Sequence, residues 1–473
     1  MKHPIFYLSI LAVYFVFLII VGFVTQKKTK SSSDYLIGGR KIGAMVSALS
    51  FVAAYFSSVV IIGGGAFGYK YGLSTLWIAA INVLLGCFLA WLVLGKKTRE
   101  LTMKYNAVTL PDFFAKRYQL PFARIFVSLV ISLFLIVYNV SILKGLGDTF
   151  QVLLGVPYVW GVIISGLIVL IYVSFGGYLA VVWTGFIQAL IMGAGLILLL
   201  TNTLRVTGGL SAGVRSLSQI NPGLVETPGI WGFPGLISYV LVVSFGVWGM
   251  PQMLARFYSI KSNKAIRTGT IIATIGGAMA FIPYLVGALA RTKFPELANV
   301  DQAIPMMVSH FMSPAATAIF FVGVIAAGMS TFSSVLIISS GAIVRDLLRT
   351  SFSVQINEKQ EIHWNTLTNV FIGVISILIA LKPPGLVLTL TAFSWAVIAS
   401  TCLAPFLLGL YWKGTSRSGA LASMLGGFLV SILWTMQKPP PFGLHGFIPG
   451  VASSFILLIA VSLASKDKIS FLR

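Results

Sequence analysis

Ser330, Thr331, Ser333 and Ser334 crowd one stretch of an apolar run, Ala326-Ala-Gly-Met-Ser-Thr-Phe-Ser-Ser334. Ser330, Ser333 and Ser334 recur at helical spacing, so they share a face with Thr331 close by. Hydroxyl oxygens are hard and neutral. Together with freed backbone carbonyls they suit a small alkali cation, which takes about five or six oxygens and needs no carboxylate. Such a site binds loosely and releases readily. Small polar residues also tie membrane helices together by hydrogen bonds, so each serine taken alone carries either reading.

Carbonyls become free only where a helix is interrupted. The stretch from Ser47 to Gly68, SALSFVAAYFSSVVIIGGGAFG, is apolar enough for a bilayer but makes a poor plain helix. It holds four serines and then Gly63, Gly64 and Gly65 in a row. Each interior glycine costs a helix about 1 kcal/mol relative to alanine. Backbone groups released in mid-membrane must be buried in protein or line a polar cavity. Close helix packing through small residues is the competing explanation of the glycines. A second interruption is expected at Ser244-Phe-Gly-Val-Trp-Gly-Met-Pro251, where Pro251 removes a helix hydrogen bond.

These segments sit in a chain that is 57% hydrophobic and 9% charged, with a mean hydropathy of +0.95. An ordinary soluble domain carries about 25% charged residues, so the chain is an all-α polytopic membrane protein. The apolar runs are long and continuous, unlike the alternating strands of a membrane barrel. The net charge of +22 invites a nucleic-acid reading, but the Lys and Arg lie in short loops between apolar runs. That is a topology signal, and no nucleic-acid partner is expected. Cys87 and Cys402 lie inside apolar runs, and His3, His310, His363 and His445 form no ligand spacing. The opening run from Ile5 to Val24 is too long for a signal peptide and reads as a retained helix.

Thirteen spans are expected, at roughly 5–24, 44–68, 73–95, 122–150, 157–174, 179–204, 234–258, 266–291, 314–345, 364–381, 386–412, 418–436 and 447–465. The loops holding Lys27 to Lys41, Lys96 to Arg124, Arg256 to Arg267, Arg345 to Lys359, Lys413 to Arg417 and Lys466 to Arg473 are the basic ones. The opposite loops hold only Lys2, Lys70, Arg205, Arg215, Arg291, Lys293, Lys382 and Lys438. Basic loops face the cytoplasm, so the N-terminus is outside and the C-terminus inside, in a plasma (inner) membrane. Spans two and seven, the two weak helices, then cross in opposite directions. Paired weak helices in inverted halves point to a transport site.

The residues that carry a family likeness now stand in order. They are ALSFVAAYFSS…GGGAFGYKYG in span two, Gly176-Gly-Tyr-Leu-Ala-Val-Val-Trp-Thr-Gly-Phe-Ile-Gln188, Pro251-Gln-Met-Leu-Ala-Arg-Phe257, AAGMSTFSS, and LLGLYWKGTSRSGALASMLGG. Along nearly its whole length the chain resembles the sodium:solute symporter family. YKYGL, KYNAVTLPDFFAKRY and SIKSNKAIRTG look most like the sodium/pantothenate members. PQMLARF is equally close to the sodium/proline members.

The resemblance implies a LeuT-like 5+5 inverted repeat. Residues 1–43 would form the first helix and a cytoplasmic loop, and 44–206 the first five-helix repeat. Residues 207–233 would form an extracellular loop, 234–412 the second repeat, and 413–473 two C-terminal helices. It implies a sodium site made by the carbonyls of Ala53, Phe56 and Ala327 with the hydroxyls of Ser330 and Thr331. It places a substrate near Tyr55, Ser57, Ser58, Tyr138, Phe245, Trp248, Phe393, Ser394 and Trp395. Aromatic walls with a few polar groups are what a small organic ligand needs. One position departs from the family pattern: the usual W-T-D is Trp183-Thr-Gly185 here. In some members that Asp helps form a second sodium site, so at most one sodium per substrate is expected.

Lys144 is the one base placed deep in a span, with Asp148 one turn away. An intrahelical ion pair near the outer end is one reading. The other has Lys144 drawing a carboxylate substrate into an outer vestibule. The expected function is sodium-coupled symport of a pantothenate-like compound, an amino acid or a monocarboxylate. Na+ is the coupling ion, there is no organic cofactor, and the working unit is a monomer in the bilayer. A proton-coupled or uncoupled facilitator or channel of the same fold is the alternative. An enzyme is not expected, since no metal cluster, nucleophile–base pair or buried carboxylate pair is evident in the sequence.

Overall fold

The computed structural model describes residues 4–437 and 439–469, and among them every extended element is helical. The β-pairing there is two isolated bridges, Ile42 with Ile260 and Ser416 with Lys468. Lys2, Lys438 and Arg473, which enter the charge asymmetry, lie outside the described residues.

Helix α1 (Pro4–Gln26) is followed by the short α2 (Ser32–Ile37). Ser31 caps α2 by accepting from the Asp34 amide, and the Asp34 carboxylate answers back to the Ser31 amide. Helix α3 (Ala44–Tyr55) stops inside an apolar run. After a corner at Phe56 and Ser57, a π-helical turn over Val59–Gly63 leads into α4 (Gly64–Tyr71). Helix α5 (Leu76–Asn82) continues through a π-helical stretch, Val83–Leu94, into α6 (Gly95–Lys104). Next come α7 (Leu110–Tyr118), α8 (Pro121–Leu154) and α9 (Tyr158–Val206). The second half holds α10 (Leu210–Ile220), α11 (Gly232–Gly246), α12 (Pro251–Ser259), α13 (Asn263–Ala278), α14 (Phe281–Ala290) and α15 (Ala303–Phe311). It ends with α16 (Pro314–Gly341), α17 (Glu358–Ala380), α18 (Val387–Tyr411), α19 (Arg417–Met436) and α20 (Phe447–Ala464).

Among the described residues, eleven stretches are long and apolar enough to cross a bilayer, where thirteen spans were expected. The difference lies at two glycines. The stretch Val59–Lys104 runs through Gly72 (φ 75°, ψ −154°), and Tyr158–Val206 runs through Gly177 (φ 57°, ψ −151°). At 1.5 Å per residue an unbroken helix of 49 residues would reach about 73 Å, far beyond the roughly 30 Å hydrocarbon core. Only glycine enters this backbone region without strain. A Cβ at Gly72 would also lie 2.0 Å from the Leu224 carbonyl, and one at Gly177 2.7 Å from the Tyr35 ring. The expected span 44–68 is likewise divided, because α3 alone is only 12 residues long.

The interruption in this span is not where the glycines are. Gly63 and Gly64 have ordinary helical dihedrals. The chain turns earlier, at Phe56 (φ −83°, ψ 56°). Ser57 restarts the helix: its hydroxyl accepts from the Val59 amide at 3.2 Å, and its carbonyl accepts from Val60 at 3.0 Å. The glycines serve close packing instead, with Gly63 against Leu388, Gly64 against Tyr284 and Gly65 against Ile304. The second interruption is where Pro251 predicts it. Helix α11 ends in a tight turn over Val247–Gly249, Met250 is extended, and Pro251 opens α12 at the position where its missing N–H costs nothing.

Helix α16 is the axis of the molecule. Its 18-residue apolar centre is 94% buried, against 28% for α1 and α20. It packs on α9, α8, α17 and α3, while α18 packs on α8, α11, α19 and α20. Arginines at the basic end tie the helix ends together. Arg345 and Arg349 pair with the buried Glu361, and Arg40 donates to the carbonyls of Thr102, Ala107 and Tyr258.

Candidate ion and substrate site

Helix α3 ends at Tyr55, so the carbonyls of its last turn lack intrahelical partners. Phe56 N–H returns to Val52 at 2.8 Å. The next two carbonyls are met from α16. Ser330 Oγ donates to Ala53 O at 2.7 Å, and Thr331 Oγ1 donates to Ala54 O at 2.8 Å. Both hydroxyls also reach Ala327 O, at 2.9 and 3.2 Å. Five oxygens therefore converge across two helices in a fully buried place. Three are carbonyls and two are hydroxyls, and none carries a charge. A hydroxyl that turns its proton away offers a lone pair, so the set fits a small hard cation. Ala54 stands beside Ala53 in this cluster, and the sequence did not single it out. Phe56 is the corner residue, and the two hydroxyls reach Ala53 and Ala54 rather than its carbonyl. Ser333 and Ser334 fold back onto Ser330 O, at 2.9 and 2.7 Å.

Residues 55–57 continue from the oxygen cluster into a cavity. It is small, ≈ 20 Å³, on the scale of a single water. Tyr55, Ser57, Tyr138 and Trp395 line it, together with Tyr284, Thr391, Leu388 and Val243. Tyr138 meets Trp395 edge to face at 5.7 Å, and Tyr55 lies 6.2 Å from the same ring. Trp395 Nε1 is buried and makes no close hydrogen bond, with Tyr138 beside it. Such a donor beside a cavity is an anchor for a ligand's acceptor.

The other expected substrate residues point elsewhere. Ser58 Oγ donates to Ile142 O at 2.9 Å, and Ser394 Oγ donates to Phe134 O at 2.6 Å. Phe393 packs on Phe134. Trp248 donates from Nε1 to Leu85 O at 2.9 Å, and Phe245 packs on it. The physical reason for the last pair is the turn itself. Gly246 and Gly249 are the residues that face α18, with Cβ positions 3.1 Å from Trp395 and 2.8 Å from Ala399, so the aromatics between them turn away.

A sequence model of the sodium:solute symporter family matches residues 35–427. The chain belongs to the sodium:solute symporter family. The symporter is 33% identical to the sodium/pantothenate symporter of Escherichia coli (strain K12), over 90% of this chain and 89% of that protein. It is 31% identical to the osmoregulated proline transporter OpuE of Bacillus subtilis (strain 168), over 96% and 94%. Its fold matches a solved Na+-coupled sialic acid symporter in a substrate-bound, outward-open state. The TM-score is 0.83 at 18% identity, covering 98% of this chain and 99% of the other. It is thus a multi-pass membrane protein with the fold of these transporters.

Two further expectations meet the geometry of the symporter. Lys144 is buried, and its Nζ lies 2.8 Å from Asp148 and 2.6 Å from Asp301. Asp301 comes from the segment before α15 and also accepts from the Val387 amide, at 3.3 Å, at the start of α18. Asn299 completes the group by donating to Asp148. One ammonium between two carboxylates leaves no positive charge to attract an anion. The vestibule role for Lys144 does not fit, and its place is a buried tie between α8, the 299–301 segment and α18.

Gly185 lies directly against α3, where a Cβ would sit 3.0 Å from Ser50 Oγ. The same Ser50 hydroxyl accepts from Arg256 Nη2 at 3.2 Å, and Arg256 is fully buried. No reading of the sequence by spacing joins positions 50, 185 and 256.

Proposed function

We propose that this symporter couples the inward flow of Na+ to the uptake of a small organic solute by alternating access. The observation that carries the reading is the pairing of Ser330 with Ala53 and of Thr331 with Ala54 across the corner in span two. The corner residues serve both ligands. Ala53 and Ala54 turn their carbonyls to α16, and Tyr55 and Ser57 face the aromatic cavity. An ion that fixes residues 53–54 therefore fixes the wall of the solute cavity, and solute binding favours the ion by the same factor.

The proposal extends to a 5+5 inverted repeat over 44–206 and 234–412 within thirteen spans, with the N-terminus outside. The broken segments at 56–58 and 247–250 would be the moving parts. The solute is a small carboxylate: pantothenate-like, an amino acid or a monocarboxylate. The named relatives act on proline and pantothenate, both of which carry that group. Na+ is favoured over H+ because the converging oxygens are carbonyls and hydroxyls, none of which titrates near neutral pH.

The test is uptake into proteoliposomes against a panel of pantothenate, proline and short monocarboxylates. An imposed Na+ gradient should drive accumulation of one of them, and a proton gradient alone should not. Equal uptake under both gradients, or with neither, would retire the reading.

A further inference from the structure

Arg256 is buried in the last turn of α12, rather than lying in the loop where the charge pattern counted it, and has no acid beside it. Its Nη2 donates to Ser334 Oγ at 2.8 Å and to Ser50 Oγ at 3.2 Å, and Nη1 donates to Gln252 O at 2.8 Å. Tyr178 covers one face at 5.6 Å, and Nε has no partner. None of the ion pairs among the described residues includes it. A buried guanidinium is normally paired with a carboxylate, because the desolvation of its charge is otherwise offset only in part.

Its position relative to the ion cluster is fixed by two short links. Ser334 Oγ, which accepts from Arg256, itself donates to Ser330 O at 2.7 Å. Ser50 lies one helical turn before Ala53 and Ala54 on α3. The guanidinium thus bridges α3 and α16, one side-chain link from Ser330 O and, through Ser50, about one turn along α3 from Ala53 and Ala54. From α9, Gly185 faces Ser50 and brings no charge.

We propose that Arg256 is a fixed positive charge that holds the affinity of the ion cluster for Na+ low, so that the bound ion is readily released. The inference rests on the reading of the cluster as a sodium site. A cation among neutral oxygens has nothing to offset repulsion from a guanidinium one turn away, and inside a protein that repulsion is weakly screened. Two different substitutions should then act in the same direction. Arg256→Gln removes the charge. Gly185→Asp places a carboxylate beside Ser50, the residue that accepts from the guanidinium, at the cost of shifting Ser50, whose Cα a new Cβ would meet at 3.3 Å.

The experiment is the half-saturating Na+ concentration, read both from Na+-induced thermal stabilisation and from uptake in proteoliposomes. Arg256→Gln and Gly185→Asp should each lower it about tenfold. Arg256→Lys keeps the charge and should leave it within about twofold. Misfolding does not tighten ion binding, so a gain of affinity separates charge from structure. If Arg256→Gln does not fold, Arg256→Met, which also removes the charge, carries the test, because a carboxylate at position 185 is itself a candidate cation ligand. Unchanged or weaker Na+ binding in both variants would overturn the proposal, provided that Ser330→Ala still weakens it. A wild-type protein and variants that all ignore Na+ would instead remove the sodium reading beneath it, and the proposal with it.

Discussion

The hydroxyl of Ser330 reaches across 277 positions to the carbonyl of Ala53 at 2.7 Å, and its neighbour Thr331 does the same to Ala54 at 2.8 Å. Two adjacent hydroxyls on an unbroken helix thus satisfy two adjacent carbonyls on a broken one. Ser330→Ala removes a proposed Na+ ligand and leaves Ala53 without its partner. A hydrogen bond to a charged group is worth about 1.5–3 kcal/mol, so half-saturating Na+ should rise roughly tenfold to a hundredfold. Ser333→Ala is the comparison. Its hydroxyl folds onto its own helix, so its effect should stay within a factor of about two. Titration of Na+-dependent uptake separates the two variants.

The solute side makes a different demand. Trp395 brings a buried Nε1–H with no close hydrogen bond to the cavity that Tyr55, Ser57 and Tyr138 share. Trp395→Phe keeps an aromatic wall and deletes the donor. If the donor anchors the solute, KM for it should rise about tenfold, the worth of one hydrogen bond of roughly 1–1.5 kcal/mol. Half-saturating Na+ measured without solute should not move. An unchanged KM would free Trp395 from any role beyond packing.

Lys144 stands between two buried carboxylates, so its removal strands both. Lys144→Gln should lower stability by about 3–5 kcal/mol, the usual cost of breaking a buried pair. It should not discriminate between anionic and neutral solutes in transport. Adding Asp301→Asn to Lys144→Gln should recover part of the loss, since one stranded charge disappears. Thermal unfolding of the three proteins in detergent decides this. A selective rise in KM for an anionic solute alone would restore the vestibule role.

The sequence announced the membrane helices, the hydroxyl face of α16 and the interruption at Pro251. Each of these follows from composition, from helical spacing, or from a residue that cannot donate an N–H. It misplaced the corner in span two, because three glycines look like the weak point while their dihedrals stay helical. The signal was Ser57, whose hydroxyl accepts from the Val59 amide as a helix cap does, and such a cap is inconspicuous within an apolar run. Asp301 and Arg256 were out of reach for another reason. Their partners are 157 and 206 positions away, and no periodicity connects a loop acid to Lys144 or a helix end to Ser50.

His445 lies outside the spans, between α19 and α20, with its ring edge-on to Tyr239 at 5.6 Å. Burial pushes its pKa down to about 4. Its unfolded value is near 6.5. Between those values the unfolded chain binds a proton that the folded chain refuses, so stability falls as the pH is lowered through this window. Above pH 6.5 the ring is neutral in both states and the term vanishes. The residue as a whole is half-buried, which holds the effect to the order of 1 kcal/mol. His445→Gln keeps an acceptor for the Phe447 amide and should flatten the difference in thermal stability between pH 7 and pH 5. A slope identical to the wild type would place the titration elsewhere.

The glycines of span two make the last prediction, and it concerns packing rather than chain breaking. Helices α4 and α14 touch backbone to backbone: a Cβ at Gly68 would lie 2.1 Å from Tyr284 O, and one at Gly287 would lie 2.0 Å from Gly65 O. Neither neighbour can rotate away, because both are main-chain atoms. Gly68→Ala and Gly287→Ala must push the helices apart, and overpacking of this kind costs about 1–3 kcal/mol or more. Gly64→Ala would meet only the Tyr284 ring, at 3.3 Å, and should cost less. If the glycines instead served to weaken the helix, all three alanines would raise stability, by about 1 kcal/mol each. The sign of the change in melting temperature therefore decides between the two explanations, and the backbone contacts require it to be negative for Gly68 and Gly287.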